Sequence, residues 1–513
     1  MRARALMILG TSSHVGKSLL TAALCRIFSD EGVRVAPFKS QNMSLNSAAT
    51  VEGLEIGRAQ ALQAEAARIP ASVHMNPILL KPAGNMTSQV VVRGEIWGRL
   101  SASDYHRRRV EELLPLVRES YETLAAQHEL IILEGAGSPA EINLKHHDIV
   151  NMRMAEIADA SCFLVGDIDR GGVFASLLGT VHLLEPEEQS RIQGFLINKF
   201  RGDVALLEPG VRMMEERLHK PCLGVVPYIN DLVLEEEDSL GLTTENAREW
   251  LTDDRAQRPL RIAVVALPSF SNFTDFDALR HEPSVSLQFC RHPSQIALAD
   301  VVILPGSKQT AEDLLWMRRQ HLDSQLIAHA AHGLVVGICG GMQMLGRAIV
   351  DPFALEHEDR VDALGILPFA TRMNRDKVTR KISGRLAFST LFGQTVPTLD
   401  IDGYEIHIGQ TIYAEDARPF STLNGGQPDG CISPDATVFG TYLHGIFDND
   451  AFRHFFVASA RSFHSLAPAP HLESWKQKRE DSFARLAETV RASLNLSRIL
   501  DWAHPHVSTP GLH

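Results

Sequence analysis

Nine residues near the start, Gly10-Thr11-Ser12-Ser13-His14-Val15-Gly16-Lys17-Ser18, set two glycines, a lysine and a hydroxyl at a spacing suited to phosphate. A strand feeding such a turn and a helix leaving it would aim free backbone N–H groups and the positive helix end at phosphate oxygens. Lys17 would reach the outer phosphates of ATP and Ser18 could ligate Mg²⁺, so Gly16, Lys17 and Ser18 form the expected nucleotide core. Far along the chain, Gly337-Ile338-Cys339-Gly340-Gly341-Met342-Gln343 places a thiol between small residues. A buried strand that ends there and continues as a helix is a nucleophile elbow. The helix N-terminus would lower the thiol pKa, and the N–H of Gly340 would help hold a tetrahedral oxyanion. A nucleotide site joined to a thiol able to strip ammonia from an amide points to an amide-forming synthetase, which neither motif alone would suggest.

Other residues gather around these two centres. The run Phe439-Gly440-Thr441-Tyr442-Leu443-His444-Gly445 puts His444 at the end of an aromatic strand, where it is the expected base for Cys339. Gly306, in Leu304-Pro305-Gly306-Ser307-Lys308, is a candidate second oxyanion donor. Glu134 follows the apolar run Leu130–Leu133, at a strand's carboxyl end where ligands bind in open α/β sheets, and is the candidate magnesium ligand. Asp167 follows another apolar run and either helps position the metal or caps a turn. Lys39, in Lys39-Ser40-Gln41-Asn42-Met43-Ser44, is placed to meet phosphate or substrate. Asn198 can donate to and accept from an adenine edge, or simply form a turn. Glu405 and His407 share one face of a strand, which substrate contact or plain structure would each explain.

The elements needed to position these groups are legible as apolar runs. Ala5–Leu9, Val33–Pro37, Leu130–Leu133, Ser161–Val165 and Ile192–Ile197 alternate with helix-like stretches such as Leu19–Phe28, which predicts a mostly parallel sheet covered on both faces. A second series follows in Arg261–Leu267, Ser286–Phe289, Val301–Leu304 and Leu334–Ile338. Acidic stretches at Glu235-Glu236-Glu237-Asp238 and Thr252-Asp253-Asp254-Arg255 separate them. The expected division is an ATP-binding domain over 1–235, a linker over 236–260, a glutaminase domain over 261–460 and a helical extension over 461–513. In the extension Phe483, Leu486, Val490 and Leu494 recur at helical spacing.

Composition narrows the partners. With 513 residues at 44% hydrophobic, two or three cores are affordable. A formal net charge of −12 argues against a general nucleic-acid binder. Six scattered cysteines form no CxxC pair or zinc spacing. No apolar run nears the roughly 18 to 20 residues of a membrane span, so a cytoplasmic protein is expected.

The five residues between Gly10 and Gly16, against four in the standard P-loop, give the spacing of dethiobiotin-synthetase-like proteins. The chain as a whole resembles the cobyric acid synthase family of the cobalamin pathway. The likeness rests on that loop, Pro37–Ser44, Leu79-Leu80-Lys81-Pro82, Glu134–Leu144, Asp167–Ala175, Gly341–Gly346 and Gly403–His407, in that order. It implies a P-loop dethiobiotin-synthetase-like parallel-sheet domain plus a class I glutamine amidotransferase α/β domain. It also implies the reaction: four side-chain carboxylates of a corrinoid, adenosylcobyrinic acid a,c-diamide, are amidated using ATP, water and glutamine; an inter-domain path for ammonia is then expected. Many class I glutaminases carry Glu two residues after the catalytic His; Ile446 stands here, which leaves the third triad member open. Cobyrinic acid a,c-diamide synthase shares both halves, but the segments after residues 37 and 403 favour the former family. A ParA/MinD-like ATPase switch and a binding protein with an inactive glutaminase half are disfavoured by Cys339 and His444.

Overall fold

The alternating apolar runs become parallel strands in both halves of the computed structural model, which describes residues 3–83, 87–235, 250, 257–357, 359–469 and 473–503. Most of the expected linker, 236–260, lies outside the described residues. The chain divides into two units: Met1–Ser44 with Glu55–Asp238 and Arg479–His513, and Leu45–Leu54 with Ser239–Lys478. Two stretches therefore leave the linear order, one early and short, the other at the carboxyl end.

In the first unit six parallel strands run in the order Cys222–Pro227, Ile192–Phe200, Ser161–Asp167, Arg4–Gly10, Leu130–Glu134, Val35–Phe38. Strand Leu130–Glu134 is buried throughout and Arg4–Gly10 nearly so, as a sheet covered on both faces requires. Helix Lys17–Asp30 packs its Leu20, Leu24, Ile27 and Phe28 into the same core. An antiparallel sheet of Ile78–Ala83, Thr87–Val92 and Glu95–Ser101, with Gln41–Met43 on its edge, is added to this unit.

Helix Trp475–Ser493 carries the apolar stripe read in the extension. Phe483, Leu486, Val490 and Leu494 are buried in the core of the first unit, each worth about 1.5–3 kcal/mol of transfer free energy. Its polar side is tied as well: Arg26 meets Glu480 through Nη1 at 3.1 Å and Nη2 at 2.5 Å.

In the second unit Val285–Cys290, Leu260–Val265, Val301–Leu304, Leu334–Ile338 and Val438–Thr441 form a parallel sheet, closed by the antiparallel edge strand Cys431–Ile432. A second sheet is built on the long antiparallel pair Phe369–Leu386 and Asp400–Tyr413. This sheet has few long apolar runs, because much of its surface is exposed.

Candidate functional site

The nucleotide end of the first unit is assembled by close backbone packing. A Cβ on Gly10 would lie 2.7 Å from Val15 Cγ2 and 2.8 Å from Lys17 Nζ, so the loop can fold over the lysine only with glycine there. Gly16 caps helix Lys17–Asp30 at φ 92°, and a Cβ on it would meet Asn198 Nδ2 at 2.2 Å. Lys17, 6% exposed, donates to the carbonyls of Ser12 at 2.9 Å and Gly137 at 3.2 Å. Ser18 Oγ donates to Glu134 Oε1 at 2.8 Å. Two hard oxygens thus converge beside the lysine.

Glu134 is held from three sides. Lys39 Nζ reaches Oε1 at 3.0 Å, with both side chains buried, and Gln63 Nε2 donates to Oε2 at 2.6 Å. The structure therefore brings Lys39 to the carboxylate expected to hold the metal. Asp167 is engaged instead by Lys199 Nζ at 3.1 Å and by the amide of Asp169 at 2.9 Å. Asn198 Nδ2 donates to the Val15 carbonyl at 2.8 Å, and Lys199 Nζ to that of His14 at 2.5 Å, so the end of strand Ile192–Phe200 pins the loop tip. A cavity of about 560 Å³ is lined by Gly16, Lys17, Ser18, Asp167, Asn198, Tyr228 and, from the carboxyl-terminal helix, Leu486 and Val490. Among the described residues no group of three or more His, Cys, Asp or Glu could hold a metal. The pair Ser18 and Glu134 fits Mg²⁺, which keeps several waters and is completed by phosphate oxygens.

The thiol centre of the second unit is an elbow. Cys339 follows strand Leu334–Ile338 and precedes helix Gly340–Leu345 with φ 51° and ψ −109°, a conformation that strains any L-residue with a Cβ. The turn closes because its neighbours are small: a Cβ on Gly341 would lie 2.0 Å from the Leu304 carbonyl, and one on Gly340 2.8 Å from the Ser307 amide. Cys339 is 7% exposed and its Sγ donates to the Ile406 carbonyl at 3.6 Å. A Cβ on Gly306 would sit 3.2 Å from His444 Cε1, so Gly306 and His444 are neighbours.

His444 supplies the partner, and a residue the motifs did not single out completes the row. His444 Nδ1 meets Asp275 Oδ2 at 2.6 Å, and the Gly445 amide donates to Asp275 Oδ1 at 3.0 Å. Both side chains are almost fully buried. Burial works against a charged ring, but the Asp275 carboxylate, then the Cys339 sulfur by charge and hydrogen bond, override it and push His444 up to about 10. Tyr404 stacks on the imidazole, with centroids 5.2 Å apart and planes at 19°. The arrangement can stabilise a thiolate, carry its proton and return it to a leaving amine.

Asp275 lies in the one-turn helix Phe273–Phe276, after strand Leu260–Val265. The signal was Ser271-Asn272-Phe273-Thr274-Asp275-Phe276-Asp277, acids among aromatics just past a buried strand. Beside the elbow, Glu405 pairs with Arg380 Nε at 2.7 Å, and His407 stacks on Tyr442 at 3.9 Å. Both line a cavity of about 440 Å³. Burial pushes His407 down to about 4, which keeps its ring neutral.

Comparison with known proteins finds matches to both halves of the chain. Residues 6–240 match the family described as CobQ/CobB/MinD/ParA nucleotide binding domain, and residues 261–452 match the CobB/CobQ-like glutamine amidotransferase domain. Over almost the full length the chain is 46% identical to a cobyric acid synthase of Thermoanaerobacter sp., covering 97% of this chain and 98% of that one. It is 45% identical to one of Clostridium acetobutylicum (96% and 97% covered) and 47% identical to one of Sorangium cellulosum (96% and 98% covered). With a nucleotide-binding stretch and a glutamine amidotransferase stretch each matched, and relatives aligned over nearly the whole length, the chain belongs to the cobyric acid synthase family of glutamine-dependent amide synthases.

Proposed function

We propose that the chain amidates the b, d, e and g side-chain carboxylates of adenosylcobyrinic acid a,c-diamide, giving adenosylcobyric acid, with one glutamine and one ATP consumed per amide. Cys339 attacks the glutamine amide while His444 takes and returns the proton, Asp275 holding the ring in its charged form. Gly340 and Gly306 donate their amides to the oxyanion. Ammonia leaves and water cleaves the glutamyl thioester.

A carboxylate resists ammonia because it is anionic and lacks a leaving group, so the first unit must activate it as an acyl phosphate. Lys17 and the loop amides neutralise the transferring phosphoryl group. Mg²⁺ held by Ser18 and Glu134 would add charge neutralisation there, with Lys39 and Gln63 orienting the carboxylate. Asp167 shapes the loop through Lys199, and Asn198 stands beside the nucleotide.

The observation that carries the reading is the buried row of Cys339, His444 and Asp275 on the same chain as a Lys17-centred phosphate loop. The test is amidation of the corrin acid with Mg-ATP, followed by mass gain, for wild type and Cys339→Ser. The variant should lose glutamine-driven synthesis and keep synthesis driven by added ammonium salt. Loss of both would refute the division of labour, and brisk amidation of another acid with none of the corrinoid would replace the substrate.

A further inference from the structure

The stretch Leu45–Leu54 comes from the amino-terminal part of the chain, directly after Lys39–Ser44, yet it folds as part of the glutaminase unit. It is a short excursion. Its outward leg, Ser47–Ala49, is buried, and it reverses in a turn closed by Thr50: the Leu54 amide donates to Thr50 Oγ1 at 3.2 Å and the Thr50 amide to the Leu54 carbonyl at 2.8 Å. The residues on either side of it stay in the first unit. There Glu55 makes a buried ion pair with Lys81 at 2.5 Å, and Lys39 holds Glu134.

Within the glutaminase unit the excursion meets the thiol centre on two sides. On one, the Ser47 amide donates to Asn272 Oδ1 at 3.0 Å and the Phe273 amide donates to Asn46 Oδ1 at 3.2 Å. Asn272 is held at φ 54°, three residues before Asp275, and its Nδ2 lies 3.4 Å from both ring nitrogens of His444. On the other, Ala49 packs with Tyr404 and Ile406. Tyr404 stacks on His444, and the Ile406 carbonyl accepts from Cys339.

We propose that Asn46 and Ser47 are positioning residues for glutamine hydrolysis, setting Asn272 and through it the Asp275–His444 pair. This rests on the reading of Cys339 and His444 given above. Such positioning matters because a misplacement of about 1 Å at a catalytic row costs about 10²-fold in rate. The titratable groups around the imidazole are Asp275, Cys339 and Tyr404, with the neutral His407 farther off.

The experiment uses the full chain carrying Asn46→Ala, assayed for glutamine hydrolysis across pH and for ammonium-driven amidation. Loss of one acceptor should lower the turnover of glutamine about tenfold. Its alkaline limb should move to lower pH, as a less firmly placed Asp275 holds the imidazolium less strongly. Ammonium-driven amidation should match wild type. A variant that folds poorly would lose both activities together without moving the limb. Asn46→Asp, which keeps the acceptor, is then decisive and should return turnover to within about twofold of wild type. The proposal is overturned if Asn46→Ala hydrolyses glutamine with an unchanged rate and limb, or if Asn46→Asp is folded and as impaired as Asn46→Ala. Absence of ammonium-driven amidation in the wild type would instead sink the corrinoid reading, leaving the hydrolysis result to judge this one.

Discussion

Replacing Asp275 by Asn tests the row of buried groups most directly. The side chain keeps its shape but loses the charge that faces His444 Nδ1 at 2.6 Å, and it can no longer accept from both His444 and the Gly445 amide in the same way. His444 is 1% exposed and Asp275 3%, so water cannot take over the missing role. Removing one member of a buried ion pair costs about 3–5 kcal/mol. At about 1.4 kcal/mol per decade, glutamine hydrolysis should fall roughly 10²- to 10⁴-fold if that cost is borne in the transition state. The sign with pH follows from the raised His444. Its protonated form is stabilised, so the pair is fully present below about 6.5 and is lost as pH rises through about 10. In Asp275→Asn that upper limit should fall. The assay is steady-state glutaminase turnover from pH 6 to 10.5, beside ammonium-driven amidation in the same preparation. A drop of less than about threefold, or an equal drop with ammonium salt, would refute the assignment of Asp275 to the thiol centre.

Three further outcomes are expected. Gly16→Ala should abolish ATP binding in an equilibrium titration while leaving glutamine hydrolysis without ATP intact, because its Cβ would lie 2.2 Å from Asn198 Nδ2 at a φ of 92°. Glu134→Gln should lower ATP turnover by at least about 10²-fold and lower the melting temperature, since the buried Lys39 loses its carboxylate at 3.0 Å; a variant with normal turnover would remove Glu134 from the nucleotide site. Glu356 is pushed up to about 7, chiefly by burial, and accepts from the Thr310 amide at 2.7 Å. The folded protein then keeps a proton that the unfolded chain releases near 4.5, so this carboxyl makes stability fall as pH rises from about 4.5 to 7. Glu356→Gln, which keeps an acceptor, should flatten that slope in denaturant titrations; an unchanged slope would contradict the raised value.

Local sequence determined the backbone of both candidate centres, because each is built from short-range geometry. A strand, a glycine turn and a helix N-terminus are contiguous, so Gly10–Ser18 and Gly337–Gln343 each carry their own backbone solution, and buried parallel strands announce themselves as apolar runs. His444 was legible for the same reason, as the end of such a strand. Asp275 was not, since its role exists only where the loop after Leu260–Val265 packs against the end of Val438–Thr441, and hydrogen bonding across 169 positions has no local signature. The same holds for the true partners of Asp167 and Lys39, which spacing could not assign. Nor does composition reveal that Leu45–Leu54 folds with the glutaminase and that the last long helix returns to the nucleotide unit. Those choices were made by burial: Ala49 beside Tyr404 and Ile406, and Phe483, Leu486 and Val490 beside the core of helix Lys17–Asp30, are where apolar surface finds cover.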